Sequence, residues 1–432
     1  MLDFVLKNAK TVTPNGIIEG DVGISGGKIA KIGTITEKGG AERDCTGLFI
    51  LPGAIDMHVH FRDPGFTEKE DFHTGSCAAA AGGITTVIDM PNTNPPTLTC
   101  EALAEKRAIA AEKSVVNYGF YMALSENNLD EIKNAENIAG VKLFLGSTTG
   151  NLLVQKESAI EELLRLGKFV ITHAEDENII KANVAQYKDA IDPKVHSLIR
   201  SPKAAYEAVK YILHLAKKHN ARIHITHSST AGEVELLRKF KGSGVSADST
   251  THHLYLTDAA YAERGNFVKM NQPLRSNEDR QALWKALKDG AIQVVATDHA
   301  PHTKAEKEQS YQKAPSGVPG EETLLPLLLD SVNHGDLSLN DVCKLICVNP
   351  AALLHIPNKG KIEEGYDADL AIVDMSLTQE VGARGYFTKC GWSPFSGWKL
   401  KGWPVTTIVN GGVVFEKGKV NEGLRGKEVT YK

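Results

Sequence analysis

The feature that most constrains the fold is an alternation of short apolar runs with longer segments of helical pattern through the middle of the chain. Each run is rich in β-branched residues and ends in polar ones, which is typical of a buried strand in a parallel sheet. The eight runs cover residues 48–60, 83–92, 114–124, 140–146, 168–175, 221–229, 244–254 and 291–302. Eight strand-helix units over about 300 residues predict an α/β fold, a (β/α)8 TIM barrel with insertions.

The segments between the runs predict the helices of this barrel. The clearest are residues 99–114, 155–167 and 201–220, where apolar residues recur at helical spacing. The last of them begins with Ser201-Pro202, a helix start signal.

Strand-like segments also lie at both ends of the chain, outside the predicted barrel. They are broken by the turn signals Asn15-Gly16, Gly26-Gly27 and Asn410-Gly411. Because neither end has many strands, we predict that residues 1–51 and 361–432 pair into one small β-sandwich. Residues 52–360 then form the barrel.

Composition argues against several classes of protein. Lys and Arg number 49 and Asp and Glu 53, a net charge of −4 without a block of like charge, so we expect no nucleic-acid partner. No apolar segment approaches the roughly 18 residues of a membrane span, and we expect no membrane partner. Six cysteines without a CxxC pair fit reduced thiols, and the chain is predicted to be cytoplasmic.

Ionisable residues stand where the predicted strands end. His58 and His60 are two apart and project to the same face of a strand, although an isolated pair of this kind is more often a surface or core feature. His173, His227 and Asp298 end the fifth, sixth and eighth runs. The carboxyl ends of barrel strands form the active-site face, so these five side chains predict a site for zinc or a related ion.

Lys142 lies inside the apolar fourth run and admits two interpretations. An unpaired ammonium group away from water is costly, so the side chain could extend along the strand to reach solvent. Alternatively, burial favours the neutral amine, which could take up carbon dioxide and become a carbamate that bridges two metal ions.

The metal pattern resembles that of the amidohydrolase superfamily and, within it, the cyclic amidohydrolases. The motifs "HVHFRDPG", "MPNTNPP" and "DHAPH" are similar to those of the dihydroorotases, which interconvert dihydroorotate and carbamoyl aspartate in pyrimidine biosynthesis. The resemblance implies two Zn²⁺ per subunit with a bridging hydroxide. The implied ligands are His58, His60 and Asp298 for one ion, His173 and His227 for the second, and N6-carboxylated Lys142 as the bridge. Some relatives use an aspartate after strand four instead, and residues 146–151 contain none.

The same resemblance assigns roles around the substrate. Asp298 would be the catalytic acid and base, Arg62, Asn92 and His302 would bind the substrate carboxylate, and Asn271 would bind the pyrimidine ring. An arginine fork suits a carboxylate, which supports Arg62 independently. Asn92 and Asn271 flank proline-rich corners and could equally be turn residues.

Two rival functions stay open at this point. A hydantoinase, dihydropyrimidinase or allantoinase would act on rings without a carboxylate, and a superfamily member without activity would serve as a scaffold. We also expect a homodimer as the commonest assembly. The polar segment 303–320 after the eighth run is a candidate active-site loop, whereas His299 should point to the opposite face from Asp298.

Overall fold

The computed structural model describes residues 1–148 and 152–432. The last three residues of the segment 146–151, which lacks an aspartate, therefore lie outside the described residues. No helix in the described ranges combines the length and the apolar character that crossing a membrane requires.

Strands from both ends of the chain pair in one sheet, to which the described ranges contribute nine strands. The first five are β1 Phe4–Thr13, β2 Gly16–Ser25, β3 Lys28–Gly33, β4 Ala41–Asp44 and β5 Phe49–Pro52. β5 joins the two ends, because it runs parallel to β1 and antiparallel to a strand from the C-terminal part of the chain. The predicted module of terminal strands is thus confirmed as a mostly antiparallel sheet beside the barrel, while the exact domain bounds stay a prediction.

The second sheet of the described chain consists of eight parallel strands, which form the barrel. They are β6 Ala54–Val59, β7 Ile84–Asp89, β8 Asn117–Ala123, β9 Gly140–Phe144, β10 Val170–His173, β11 Ile223–Ile225, β12 Val245–Thr250 and β13 Val294–Ala296. The barrel closes between its first and last strands, where the backbone N–H of His60 donates to the carbonyl of His299 at 2.8 Å. Each strand lies within one of the eight apolar runs, so the predicted (β/α)8 class is confirmed.

The remaining strands complete the terminal sheet: β14 Leu370–Glu380, β15 Lys399–Val409, β16 Gly412–Glu416 and β17 Lys419–Val420. β15 and β16 form the hairpin predicted at Asn410-Gly411. Both turn residues have positive φ, 50° and 82°, which is the conformation that Asn-Gly supplies in a two-residue turn.

Helices connect the barrel strands and cover their outer face. The α-helices are α1 Phe72–Ala81, α2 Cys100–Lys113, α3 Leu129–Asn134, α4 Glu157–Arg165, α5 Glu177–Gln186, α6 His196–Ile199, α7 Pro202–His219, α8 Ala231–Arg238, α9 Thr251–Tyr255, α10 Tyr261–Arg264, α11 Asn277–Asp289, α12 Lys304–Lys307, α13 Glu321–His334, α14 Leu339–Cys343 and α15 Asn349–Leu353. Short 3-10 helices span Pro193–Val195, Asp258–Ala260 and Gly265–Val268, and a π-helical turn spans Lys344–Val348. The three helices predicted from periodicity are α2, α4 and α7.

The C-terminal tail, residues 425–432, closes the amino-terminal end of the barrel. Its backbone pairs with the start of β8, where the N–H of Val429 donates to the carbonyl of Tyr118 at 2.8 Å. Val429 and Tyr431 pack in one apolar cluster with residues of the barrel strands, among them Ile55. The end of the barrel opposite the polar strand termini is therefore sealed by side chains.

The sealing residue Tyr431 explains a glycine in β8. A Cβ atom on Gly119 would lie 2.0 Å from the hydroxyl oxygen of Tyr431, so only glycine fits beneath the ring. The Tyr431 hydroxyl is itself buried.

Removing this ring should destabilise the barrel. We expect Tyr431→Ala to lower the free energy of unfolding by about 3 kcal/mol, because truncating a partly buried aromatic ring that packs on the barrel interior leaves a cavity. The measurement is the midpoint of thermal unfolding by circular dichroism. Thr430→Ala, at the exposed neighbouring position, is the matched control and should leave the midpoint unchanged. Equal midpoints for the two variants would contradict the sealing role.

Candidate active site

The predicted metal-ligating residues meet at the carboxyl ends of the barrel strands. His58 lies in β6, Lys142 in β9 and His173 at the end of β10. His60, Asp298 and His227 lie just beyond β6, β13 and β11. All six line one pocket, together with Arg62, Asn92 and Asn271.

The backbone is strained where several of these side chains enter the pocket. Arg62, His227 and Asp298 have φ values of 64°, 39° and 48°, in the left-handed region that non-glycine residues rarely adopt. Such conformations cost about 1–3 kcal/mol each and cluster at functional sites. Here they turn the chain at the strand ends so that the side chains point inward.

The first group of side chains surrounds the Asp298 carboxylate. Its Oδ1 lies 3.3 Å from Nε2 of His58 and 3.0 Å from Nε2 of His60. The other ring nitrogen of His60, Nδ1, lies 2.6 Å from Oδ1 of Asn92 and donates to it, since an amide oxygen only accepts. The Nε2 lone pair of His60 is therefore left facing the pocket.

The second group consists of His173 and His227. Nδ1 of His173 lies 3.0 Å from Nε2 of His227, and the two rings meet edge to face. Lys142 lies between the two groups, with Nζ 3.5 Å from Nε2 of His58. Donor atoms of His58, His227 and Asp298 lie within 4.8 Å of one another, so the groups form one continuous cluster.

Burial favours the neutral forms of the nitrogen donors in this cluster. It lowers the pKa of His58, His60 and His227 well below the usual histidine value, and it lowers that of His173 as well. Burial also lowers the pKa of Lys142. Neutral imidazole nitrogens and a carboxylate oxygen are the donor set that zinc and related ions prefer.

Two orphaned ring nitrogens indicate that these donors suit a cation. Nδ1 of His58 and Nδ1 of His227 are buried without a hydrogen-bond partner among the described residues. A bound cation would supply the missing partner for the lone pairs of such ring nitrogens.

A carboxylate that the sequence analysis did not identify fixes the orientation of His173. Oε2 of Glu175 lies 2.9 Å from Nε2 of His173 and accepts its hydrogen, which leaves the Nδ1 lone pair toward the cluster. Glu175 is fully buried and also forms an ion pair with Arg200. Arg200 in turn donates to the carbonyl of Ser147 in the segment after β9. A carboxylate two residues after a candidate ligand, in "THAED", was the available signal.

Arg62 is a buried cation at the wall of the pocket. Its side chain is 2% exposed, and Nε donates to the carbonyl of Pro301 at 3.3 Å. His302 does not line the pocket but lies behind Arg62, 3.3 Å from Nη2. In the described chain no carboxylate lies within ion-pair distance of Arg62. The guanidinium could therefore form an ion pair with a bound anion.

The 303–320 segment forms a wall of the pocket through Ser316 and Gly317. Two buried lysines hold its backbone. Nζ of Lys307 donates to the carbonyls of Lys269, Pro315 and Gly317 at 2.9–3.0 Å. Nζ of Lys269 donates to the carbonyls of Tyr311 and Ala314 at 2.7 and 2.6 Å.

His299, which the sequence analysis excluded, points away from the pocket as expected. Its Nδ1 accepts the N–H of Gly320 at 3.2 Å, and its Nε2 faces Glu70 at 3.4 Å. It lies in the interior behind the site.

Comparisons with known proteins agree with this architecture and cluster. The sequence profile of the Amidohydrolase family matches residues 49–414. A dihydroorotase of Methanosarcina mazei is 37% identical, over 98% of this chain and 96% of its own length. A dihydroorotase of Pyrococcus furiosus is also 37% identical, over 99% of this chain and 96% of its own.

Among solved structures, the L-hydantoinase (dihydropyrimidinase) of Arthrobacter aurescens superposes with a TM-score of 0.94 and 32% identity, covering 100% of both chains. The profile match spans well over half of the sequence, and the relatives match along nearly its whole length. The chain belongs to the amidohydrolase family.

Proposed function

We propose that this hydrolase is a dihydroorotase, which reversibly hydrolyses the cyclic amide of dihydroorotate to N-carbamoyl-L-aspartate. The relatives of that name support the reaction. The observation that carries the choice of substrate is Arg62, a guanidinium that is 2% exposed, faces the pocket and has no carboxylate partner among the described residues. A ring that bears a carboxylate would neutralise it.

We further propose that the cluster holds two zinc ions. His58, His60 and Asp298 would hold one, His173 and His227 the other, and Lys142 would bridge them as a carbamate. Short distances join His58 and His60 to Asp298, and another joins His173 to His227, which supports assigning one ion to each group. When bound, such a metal pair activates water at neutral pH and polarises the amide carbonyl.

The position of Lys142 supports its carboxylation. Only the neutral amine reacts with carbon dioxide, and burial lowers the pKa of Lys142 so that more of it is neutral. The side chain is 1% exposed, so it does not extend to solvent. A carbamate anion would also offset the positive charge of two ions in a cluster where Asp298 is the carboxylate.

Asp298 would move the proton. It would accept a proton from the attacking water and donate it to the ring nitrogen that leaves, with the reverse sequence in ring closure. Burial raises the pKa of Asp298 above the usual aspartate value, which makes its protonated form accessible during this exchange. One carboxylate would thus serve both directions.

The substrate carboxylate would lie against Arg62. A guanidinium pairs with a carboxylate through two parallel hydrogen bonds. Asn92 would complete this end of the pocket, and Asn271 would face the ring from the other side. His302, which lies behind Arg62, would act on the substrate carboxylate through its contact with the guanidinium. The pocket lining is consistent with this arrangement, since Asn92 and Asn271 both contribute to it.

Hydrolysis of uncharged rings is the second candidate, and the likeness to an L-hydantoinase favours it. Such a ring would leave the buried Arg62 without a counter-charge, which is costly.

The experiment compares ring opening of dihydroorotate, dihydrouracil, hydantoin and allantoin by the zinc-loaded protein. We expect activity on dihydroorotate alone. Arg62→Met should lower its kcat/KM about 100-fold, equivalent to about 3 kcal/mol of transition-state binding.

Arg165→Met, at an exposed position on α4, is the control for Arg62→Met and should leave kcat/KM unchanged. Turnover of the uncharged rings would replace the proposed substrate with that of a hydantoinase. A zinc-loaded protein inactive on all four rings would instead favour a scaffold without activity.

Lys142→Ala should weaken metal binding, because the bridging anion would be missing. We expect fewer than two zinc ions per subunit by elemental analysis and a loss of activity of more than 100-fold. Short carboxylic acids such as acetate should partly restore both, by occupying the place of the carbamate. Normal zinc content and normal turnover in this variant would disprove the bridging role.

Glu175→Gln should weaken zinc binding about 10- to 100-fold, because the neutral amide no longer stabilises the ligand orientation of His173. The measurement is a competition titration with a chelator, which does not depend on activity. Glu177→Gln is the matched control: Glu177 accepts the N–H of Ser147 at 2.7 Å and lies outside the ligand cluster. Equal zinc affinities for the two variants would remove Glu175 from this role.

A further inference from the structure

A chain of hydrogen bonds leads from the 303–320 segment to Asn271 in the pocket. The hydroxyl of Tyr311 lies 3.1 Å from Nδ1 of His196. Nε2 of His196 lies 2.8 Å from Oδ1 of Asn271 and 3.1 Å from the carbonyl of Met270. None of these residues belongs to the metal-ligating cluster.

The direction of each hydrogen bond follows from the chemistry of the groups. The carbonyl of Met270 can only accept, so Nε2 of His196 must carry the hydrogen. In a neutral imidazole, Nδ1 is then an acceptor, and the Tyr311 hydroxyl donates to it. Because Nε2 of His196 donates, the atom of Asn271 that faces it is the carbonyl oxygen rather than the amide nitrogen.

The ring of His196 is uncharged at neutral pH. His196 is 5% exposed, and burial together with the nearby charges of Arg200 and Lys269 lowers its pKa to about 3. Across the physiological pH range, Nε2 of His196 therefore stays a donor and Nδ1 stays an acceptor.

The orientation of Asn271 determines what the pocket offers a ligand. With Oδ1 held by His196, Nδ2 is left toward the pocket that Asn271 lines, and in the part of the chain that the structure describes it has no partner. We infer that His196 and Tyr311 are positioning residues, an inference that rests on the proposed function. They hold the Asn271 amide in the orientation in which Nδ2 donates to the ureido carbonyl of the cyclic substrate.

The ureido carbonyl is the suitable acceptor because of where Asn271 lies. The amide carbonyl that reacts must lie at the cluster around Asp298, which Asn271 does not contact through any described hydrogen bond. The other oxygen of the ring is the one left for Nδ2. A site built to donate to an oxygen discriminates strongly against a ring that lacks this acceptor.

The experiment compares dihydroorotate with the same ring carrying sulfur, a weaker acceptor, in place of its ureido oxygen. The wild type should prefer the oxygen ring both in kcat/KM and in binding measured by calorimetry. His196→Phe keeps a ring of similar size but removes both hydrogen bonds. We expect it to raise KM for the oxygen ring about tenfold with kcat within twofold, and to lose most of the preference for oxygen over sulfur.

Tyr311→Phe, which removes only the hydroxyl, should shift KM and the preference in the same direction by a smaller factor. Tyr187→Phe is its matched control: Tyr187 lines the neighbouring cavity with His196 and Tyr311 but is not bonded to either. An unchanged oxygen preference in both His196→Phe and Tyr311→Phe would overturn the inference. A loss of preference in Tyr187→Phe equal to that in Tyr311→Phe would overturn it as well.

Failure of the positioning role and failure of the proposed function give different results. An active wild type whose variants keep the oxygen preference would overturn only this inference. The wild type could instead be inactive on dihydroorotate and still bind it more tightly than the sulfur ring. If His196→Phe abolishes that difference in binding, the result contradicts the proposed function and supports the positioning role.

Discussion

The pocket depends on the parallel pairing of the eight barrel strands. Since all strands point the same way, their carboxyl ends meet at one face, and residues far apart in the sequence become neighbours. His60 and Asp298 are separated by 238 positions, yet their side chains lie 3.0 Å apart. The backbone hydrogen bond from His60 to His299 closes the barrel at this point. Closure of the barrel therefore also brings the side chains of His60 and Asp298 together.

Burial sets the protonation chemistry of these side chains. The cluster combines four histidines, a lysine and an aspartate, none of them more than 8% exposed, and burial disfavours the charged form of each. The histidines are therefore kept as neutral donors, while the pKa of Lys142 is lowered and that of Asp298 is raised. Partners behind the pocket, such as Asn92 for His60 and Glu175 for His173, decide which nitrogen faces inward.

The sequence predicted the barrel well because each strand is an apolar run that ends in polar residues, a signal local to about ten positions. The same signal located His58, His60, His173, His227 and Asp298, which stand at those ends. Glu175 was missed although it is adjacent to a candidate ligand, since a carboxylate beside a polar strand end is common. His196 and Tyr311 could not be found in this way, because their roles depend on a contact across 115 positions. The pairing of both chain ends through β5 likewise requires knowledge of long-range register.

The two buried ammonium groups behind the 303–320 segment bear on how the site meets its substrate. Lys307 and Lys269 together hold five backbone carbonyls, four of them between Tyr311 and Gly317, so this wall is formed when the chain folds. The conformational entropy of ordering these residues is lost once per molecule rather than once per turnover. Substrate therefore enters a preorganised cleft, and more of its binding free energy remains for discriminating between one ring and another.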